Sequence, residues 1–148
     1  MNLPRNILAP TDFSESAEHA LDYAVALAGK LDAKIHLLNV LVLLPLGPEL
    51  AIAMSSSKVD EFTKDSQKAL DRLVAARSGK AVFGPTLQKS GDARTLIDAT
   101  ATELGADLIV MGTHGRRGVS RLLLGSVAES VARTAPCPVL LVRKEQTP

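Results

Sequence analysis

The chain has 148 residues, a formal net charge of +1 and one cysteine, Cys137. This length suits one folded domain with a substantial core, the near-neutral charge argues against binding nucleic acid through bulk electrostatics, and an internal disulfide is excluded. Apolar residues make up 46% of the chain and aromatic residues 3%. We therefore expect a core of alanine, valine, leucine and isoleucine, of the kind that packs helices onto a parallel sheet.

The amino-terminal segment, residues 1–5, leads directly into a short apolar strand and contains no apolar stretch of the signal-peptide type. With the single cysteine, this favours a protein of the reducing cytoplasm. The chain from Ile35 to Met54 is as long as a membrane span. Polar and helix-breaking residues interrupt it: Asn39, Pro45, Gly47, Pro48 and Glu49. We expect no membrane span there, but a buried strand and then an apolar loop, Leu41–Ser57, that packs on the domain, covers a ligand or contacts a partner.

A short polar segment separates the first strand from the first helix. Asn6–Ala9 is an apolar run that predicts a strand ending at Pro10. Either Asp12 or Ser14 can be the N-cap of the helix that follows, and an N-cap at Asp12 would place Glu15 at the N3 position of a capping box. Apolar residues recur at helical spacing and define one buried face: Ala17, Ala20, Leu21, Ala24, Leu27, Ala28 and Leu31.

The middle of the chain predicts a second strand, a long helix and a weak third strand. Lys34–Val40 is an apolar strand, and Lys58–Arg77 is an amphipathic helix that Gly79 ends. The third strand, Ala81–Lys89, is interrupted at Gly84-Pro85. The helix is predicted to turn these apolar side chains inward: Val59, Phe62, Ala69, Leu70, Leu73 and Val74.

The remaining elements continue the alternation of helix and strand. Asp92 is placed to cap a helix that runs through Leu104, and Asp107–Met111 is the fourth strand. A final helix, Val127–Arg133, precedes the fifth strand, Val139–Val142. This alternation predicts right-handed crossovers and an α/β fold in which helices cover both faces of a parallel sheet. The 148-residue chain is expected to form a single domain.

A glycine-rich segment between the fourth strand and the last helix is the strongest indication of function. It follows the pattern G-x2-G-x9-G-S, formed by Gly112, Gly115, Gly125 and Ser126. Glycine lets backbone N–H groups approach an anion without a Cβ in the way, and the start of the next helix offers unpaired N–H groups and a favourable dipole. The Ser126 hydroxyl adds a donor. We therefore predict a phosphate site.

The spacing of these glycines matches neither the P-loop nor the G-x-G-x-x-G turn of dinucleotide-binding domains. A surface turn with solvated arginines is the plainer alternative. Gly118 and three cations, Arg116, Arg117 and Arg121, lie within the segment. Three arginines among glycines favour an anion as the ligand.

The positions of two loops suggest where a ligand would lie. In open parallel sheets, ligands bind beyond the carboxyl ends of the strands, where the strand order reverses. Pro10–Asp12, after the first strand, and Gly112–Ser126, after the fourth, would face each other across one crevice if those strands are neighbours. Asp12 would then contact a sugar hydroxyl or a metal ion while the glycine segment holds phosphates, or it would serve only as a helix cap.

Three segments of the sequence resemble the universal stress protein family. They are NILAPTDFS at residues 6–14, LIVMGTHG at 108–115 with its continuation LGSVAE at 124–129, and CPVLLVR at 137–143. The resemblance covers nearly the whole chain and implies a doubly wound, five-stranded parallel sheet of order 3-2-1-4-5. One branch of that family binds ATP and carries G-x2-G-x9-G-[ST], so the match implies an ATP-binding stress-response protein of the single-domain form.

The resemblance also assigns residue roles. Asp12 would contact the ribose, the backbone at Val40 the adenine, and the Val127 N–H the phosphates. The second strand ends in Asn39-Val40-Leu41 where the family often has His-Val-Asp, a difference that leaves a backbone contact at Val40 intact. The candidate residues for nucleotide binding are Pro10, Thr11, Asp12, Val40, Met111, Gly112, His114, Gly115, Arg116, Gly125, Ser126 and Val127.

A metal and a partner follow from the same resemblance. Any Mg²⁺ would arrive with the nucleotide, bound mainly by phosphate oxygens and water. Family members commonly pair their last strands, which implies a homodimer through Val139–Val142.

The histidines and the cysteine have plainer alternative roles. His114 would act as a base toward water, or it reflects only the backbone conformation beside the glycines. His19 and His36 show no ligand spacing with each other or with Cys137, so no protein-built metal site is expected. Cys137, between two prolines, is expected to be a small buried hydrophobe rather than a redox sensor.

Three functions are compatible with these residues. The first is a sensor in which bound nucleotide changes dimer contacts or affinity for a protein partner. The second is a slow ATPase or phosphotransferase, with arginines neutralising charge and His114 or Asp12 as the base. The third is a dimeric interaction module that binds no nucleotide. The sequence favours the first, because no further catalytic residue accompanies the phosphate site.

Overall fold

A computed structural model of the protein describes residues 2–42, 56–114 and 123–144. No helix within these ranges is long and apolar enough to cross a membrane. Most of the predicted apolar loop Leu41–Ser57, residues 43–55, lies outside them. Strands and helices alternate in the order β1 Asn6–Thr11, α1 Glu15–Leu31, β2 Lys34–Leu41, α2 Ser56–Ala75, β3 Val82–Phe83, β4 Leu87–Ser90, α3 Ala93–Leu104, β5 Leu108–Gly112, α4 Ser126–Thr134 and β6 Val139–Val142.

The strands form one parallel sheet of order β3-β2-β1-β5-β6, in which β4 also pairs with β2. The predicted third strand is therefore two short strands on the same neighbour. Pro85 lies between them and has no N–H to donate, and just before it the Gly84 N–H donates to the Ile35 carbonyl at 2.9 Å. Counted as one interrupted strand, this edge gives the order 3-2-1-4-5, and the predicted α/β fold is confirmed.

Two apolar layers cover the sheet, because successive side chains of a strand point to opposite faces. Ile7 and Ala9 of β1 pack with α1 and α2 on one face, whereas Leu8 packs with α3 and α4 on the other. The buried face of α1 is largely the predicted one and consists mainly of small side chains, which let the helix lie close to the strands. Its buried residues are Ala17, Ala20, Leu21, Ala24, Val25 and Ala28.

Three strands run further toward the carboxyl edge of the sheet than the sequence predicts. β1 continues through Pro10 to Thr11, and Pro10 stands opposite Leu38 in the ladder with β2. The missing N–H of a proline is tolerated at a strand end where one neighbour does not pair. β2 extends to Leu41 and β5 to Gly112. The backbone leading to the predicted ligand loops is therefore held in the sheet.

Of the two predicted N-cap candidates for α1, the structure selects Ser14, so the capping box that an Asp12 cap would allow does not form. Ser14 is the N-cap, and its Oγ accepts the N–H of Ala17 at 3.2 Å. The Asp12 carboxylate instead accepts the N–H of Ser14 at 2.9 Å. Phe13, between them, has a positive φ of 63°, and this turn moves the helix start two residues beyond Asp12. Glu15 is consequently the first residue of the helix and not its third.

The predicted inward face of α2 is confirmed only for the carboxyl-terminal half of the helix. Leu70 is fully buried, and Leu73 and Val74 pack against the same core. Phe62, predicted to point inward, is 54% exposed. Periodicity defines the apolar face of a helix but not how much of that face the rest of the fold covers.

The ends of α3 lie where the sequence predicts. Asp92 is the N-cap residue, although its carboxylate accepts the Thr95 hydroxyl at 3.0 Å and the Arg94 guanidinium at 3.3 Å rather than a helix N–H. Gly105 ends the helix in the left-handed conformation, with φ of 59°. Glycine adopts this conformation without the steric penalty of a Cβ.

A buried arginine fastens the end of α2 to α1. Arg77 is 5% exposed, and its Nε donates to Asp22 Oδ1 at 2.7 Å while Nη2 donates to Glu18 Oε1 at 3.3 Å. Nη1 donates to the Leu73 carbonyl at 2.9 Å. Both carboxylates lie on α1, one turn apart, so a single guanidinium joins the two helices.

We expect Arg77→Met to lower the free energy of unfolding by about 2 kcal/mol, because charged hydrogen bonds are lost and two carboxylates lose their counter-charge. Urea denaturation followed by circular dichroism measures the change. Arg94→Met is the matched control, since Arg94 is exposed and, among the described residues, pairs only with Asp92; its expected effect is below about 0.5 kcal/mol. Equal stability of the two variants would contradict this role for Arg77.

Candidate functional site

The central strands part at the carboxyl edge of the sheet. The ladder between β1 and β5 pairs Ile7 with Leu108 and Leu8 with Ile109. The ladder between β1 and β2 continues to Thr11, and β5 stays paired with β6 as far as Gly112. The strand order also reverses between β1 and β5, which is where open α/β sheets bind ligands. The predicted adjacency of these two strands is confirmed.

The turn after β1 brings Asp12 to this crevice and holds it there. Thr11 Oγ1 accepts the N–H of Phe13 at 3.1 Å, and Asp12 Oδ1 accepts the N–H of Ser14 at 2.9 Å. These two bonds hold Phe13 in the left-handed region, which costs a residue with a Cβ about 1–2 kcal/mol. Thr11 is buried and Asp12 is half-buried. The Asp12 carboxylate therefore has a defined position at the rim of the crevice.

Asn39 supports this turn and was not predicted as a site residue. Its side chain is buried in β2, and Nδ2 donates to the Thr11 carbonyl at 2.9 Å. This bond ties the end of β1 to β2 beside Val40, which is half-buried. In the sequence, a single amide within an apolar strand could have indicated this role, because a buried polar side chain requires a hydrogen-bond partner.

Gly112 is required by helix packing. A Cβ at this position would lie 2.5 Å from Ser16 Oγ and 2.9 Å from the backbone carbon and oxygen of Ser16. The first turn of α1 therefore rests directly on the end of β5. Ser16 Oγ is buried there and has no hydrogen-bond partner in the described part of the chain. The first glycine of the pattern thus has a structural role that does not involve phosphate.

Gly125 closes the other side of the crevice. Its N–H donates to the Thr113 carbonyl at 2.7 Å, and a Cβ on it would lie 2.9 Å from that oxygen. As the N-cap of α4 it has no side chain with which to cap the helix. The N–H groups of Ser126 and Val127, in the first turn, have no acceptor within the helix. An anion at this helix start would be favoured by those donors and by the helix dipole.

Both ring nitrogens of His114 have partners. Nε2 lies 2.6 Å from the Leu123 carbonyl, and Nδ1 lies 2.9 Å from Thr113 Oγ1. A carbonyl oxygen only accepts, so Nε2 carries the proton, and in the neutral ring the Thr113 hydroxyl donates to Nδ1. Both ring nitrogens are thus occupied by hydrogen bonds within the protein. This weakens the alternative that His114 acts as a base toward water.

Of the remaining residues predicted to bind nucleotide, two lie in the described strands and two lie outside the described residues. Met111 is buried in the core between the sheet and α3 and α4, so only its backbone faces the crevice edge. Pro10 is half-buried at the end of β1. The predicted residues Gly115 and Arg116, together with Arg117, Gly118 and Arg121, lie outside the described residues.

The metal and redox alternatives gain no support from the side-chain positions. Across residues 2–42, 56–114 and 123–144, no three histidine, cysteine, aspartate or glutamate side chains are grouped to hold a metal ion. Burial, followed by the charges of Asp107 and Asp98, raises the pKa of the Cys137 thiol. A raised pKa disfavours the reactive thiolate. Cys137 packs against the apolar side chains beneath α3 and α4 but is half-buried, less buried than the sequence predicts.

An open parallel α/β domain with a ligand crevice between its central strands is the class of protein that this fold and site define. Within the chain, residues 4–143 match the model of the universal stress protein family. The protein belongs to that family.

Individual relatives agree with this assignment. A relative from Staphylococcus haemolyticus that carries the universal stress protein name is 35% identical over 145 residues, which cover 97% of this chain and 87% of the relative. The universal stress protein UspA from Lactobacillus plantarum is 29% identical, with a TM-score of 0.77 over 94% of this chain and 97% of that one. A universal stress protein solved in complex with cAMP is 26% identical, with a TM-score of 0.66 over 96% of this chain and 98% of that one.

We expect Gly112→Ala to lower the free energy of unfolding by about 3 kcal/mol, because the added methyl group meets the backbone of α1. Thermal or urea unfolding measures the loss. Gly105→Ala is the matched control: a Cβ there meets open space, but φ is positive, so the expected loss is about 1 kcal/mol. If Gly112→Ala is no less stable than Gly105→Ala, the close packing of Ser16 on Gly112 is not the constraint described above.

Proposed function

We propose that the protein binds an adenine nucleotide in the crevice between β1 and β5 and acts as a nucleotide-dependent regulatory module. One observation carries the proposal. The Asp12 carboxylate and the start of α4, which no side chain among the described residues caps, lie at the carboxyl ends of two adjacent strands that part at this edge. A carboxylate suits the hydroxyl groups of a ribose, and free helix N–H groups suit a phosphate.

Each part of the nucleotide has a candidate partner. Asp12 would accept a ribose hydroxyl, the backbone of Val40 would contact the adenine, and the N–H groups of Ser126 and Val127 would donate to phosphate oxygens. Pro10, Thr11, Met111, Gly112, His114 and Gly125 would line the crevice. The sequence pattern alone adds Gly115 and Arg116, which lie outside the described residues. The cAMP complex of a family member supports an adenine nucleotide as the ligand class.

ATP is the proposed ligand within that class. The chain carries the full pattern Gly112, Gly115, Gly125, Ser126, which is typical of the ATP-binding branch of the family, and three arginines add positive charge beside it. Mg²⁺ would bind with the triphosphate. Phosphate oxygens and water would supply most of its ligands.

A binding role is favoured over catalysis by the contacts of the two candidate bases. His114 uses both ring nitrogens to hold the backbone. Asp12 Oδ1 accepts the N–H of Ser14. Phosphoryl transfer needs a group that orients the attacking nucleophile, whereas each of these side chains is already bonded to a backbone group.

The last strand is the proposed dimer surface. β6 pairs with β5 on one side, and the Ile109 N–H donates to the Pro138 carbonyl at 3.0 Å. Since parallel ladders use alternate residues for each neighbour, the backbone groups of Val139 and Leu141 point to the outer edge. An edge of this kind can pair with a second copy of the same strand. A homodimer through Val139–Val142 follows.

We expect wild-type protein to bind Mg-ATP and Asp12→Asn to bind it about tenfold or more weakly, because a charged acceptor for the ribose is lost. Asparagine keeps an oxygen for the Ser14 N–H, and circular dichroism checks that the variant is folded. Isothermal titration calorimetry measures affinity, and Asp32→Asn, at an exposed carboxylate beyond α1, should bind as wild type. Absence of binding by wild-type protein at millimolar nucleotide rejects the proposed function.

The dimer is tested by removing one outward N–H. Leu141→Pro deletes a donor on the outer edge of β6 while leaving the ladder to β5, and we expect it to be monomeric in sedimentation velocity at concentrations where wild type is dimeric. Leu141→Ala loses the same apolar side chain but keeps the N–H, and should remain dimeric. A dimeric Leu141→Pro variant would place the interface elsewhere.

A further inference from the structure

Two adjacent hydrogen bonds join the end of β5 to the start of α4. The Gly125 N–H donates to the Thr113 carbonyl at 2.7 Å, and His114 Nε2 donates to the Leu123 carbonyl at 2.6 Å. They connect the two segments that flank residues 115–122. We call this pair of bonds, with the residues Thr113, His114, Leu123 and Gly125, the clasp.

The clasp is anchored at the end of β5, and one side chain there, His114, reaches the backbone that leads into α4. Thr113 is buried at the end of β5, and its hydroxyl donates to His114 Nδ1 at 2.9 Å, which orients the ring. Leu123 is 60% exposed, so packing of its side chain does little to position its carbonyl. Beside the backbone bond from Gly125 to Thr113, the imidazole is therefore the side chain that positions the backbone entering α4.

We propose that His114 is a positioning residue that sets the N–H groups at the start of α4 against the end of β5 before any ligand arrives. The role rests on the proposed nucleotide site but differs from that of a base or a direct phosphate ligand. A donor set that is already arranged binds more tightly, because less ordering accompanies binding. The contribution is expected at the phosphates, since Ser126 and Val127 are the groups that the clasp positions.

Affinity for ATP and for adenosine, compared in the same variants, separates positioning from a general loss of structure. We expect His114→Ala to bind Mg-ATP about tenfold more weakly and adenosine, which has no phosphate, as wild type does. His114→Gln should restore most of the ATP affinity, because its side-chain amide can donate to the Leu123 carbonyl from a position near Nε2. His114→Asn is the matched control, with an amide that is too short to reach. An equal loss for ATP and adenosine, or no loss for ATP, overturns the proposal.

Hydrogen exchange tests the clasp without any nucleotide. In the ligand-free protein the Gly125 amide should be protected, lose protection in His114→Ala and regain it in His114→Gln. Nitrogen-15 spectra of the imidazole should show the proton on Nε2; a proton on Nδ1 alone, or unchanged Gly125 exchange in His114→Ala, overturns the clasp. Failure of wild-type protein to bind ATP rejects the proposed function, while these ligand-free measurements still decide the role of His114.

Discussion

The close approach of α1 to β5 at Gly112 is the constraint on which the rest of the site depends. Because no Cβ separates them, Ser16 in the first turn of α1 lies against the end of β5. The turn that precedes α1 is thereby held beside the end of β5, and Asp12 is in that turn. If the helix stood further from the strand, Asp12 and the start of α4 would not belong to one crevice. Packing inside the domain thus defines the geometry of the proposed ligand site.

The order of elements and the place of the crevice could be predicted from the sequence because both follow from local patterns. The alternation of apolar strands with helical periodicity gives the parallel sheet, and glycines after a strand mark its carboxyl edge. The start of α1 could not be predicted in the same way, since Asp12 and Ser14 are equally good caps. The left-handed conformation of Phe13 makes Ser14, rather than Asp12, the N-cap. Bulky residues adopt this conformation rarely, so the sequence does not indicate it.

Other features of the structure that the sequence does not predict arise where one side chain bonds to a residue distant in the chain. The bonds from Asn39 to Thr11 and from His114 to Leu123 join residues separated by 28 and 9 positions, and no periodicity encodes them. Phe62 shows the converse, because its position on a helix face is regular but its side chain is 54% exposed. Sequence patterns therefore predict which face of an element is apolar, whereas the geometry of the site depends on contacts formed only after the elements pack.

The two edges of the sheet differ in a way that relates the proposed dimer to the proposed site. At one edge, Gly84-Pro85 divides the chain into strands of two and four residues, and short, interrupted edges are poor templates for pairing. The other edge is the continuous strand β6, whose last residue, Val142, stands opposite Gly112. Just beyond it, Lys144 Nζ lies 2.5 Å from Glu15 Oε1 in the first turn of α1. The strand with the better edge for self-association therefore pairs with β5, which borders the crevice, and the chain just after it reaches the first turn of α1.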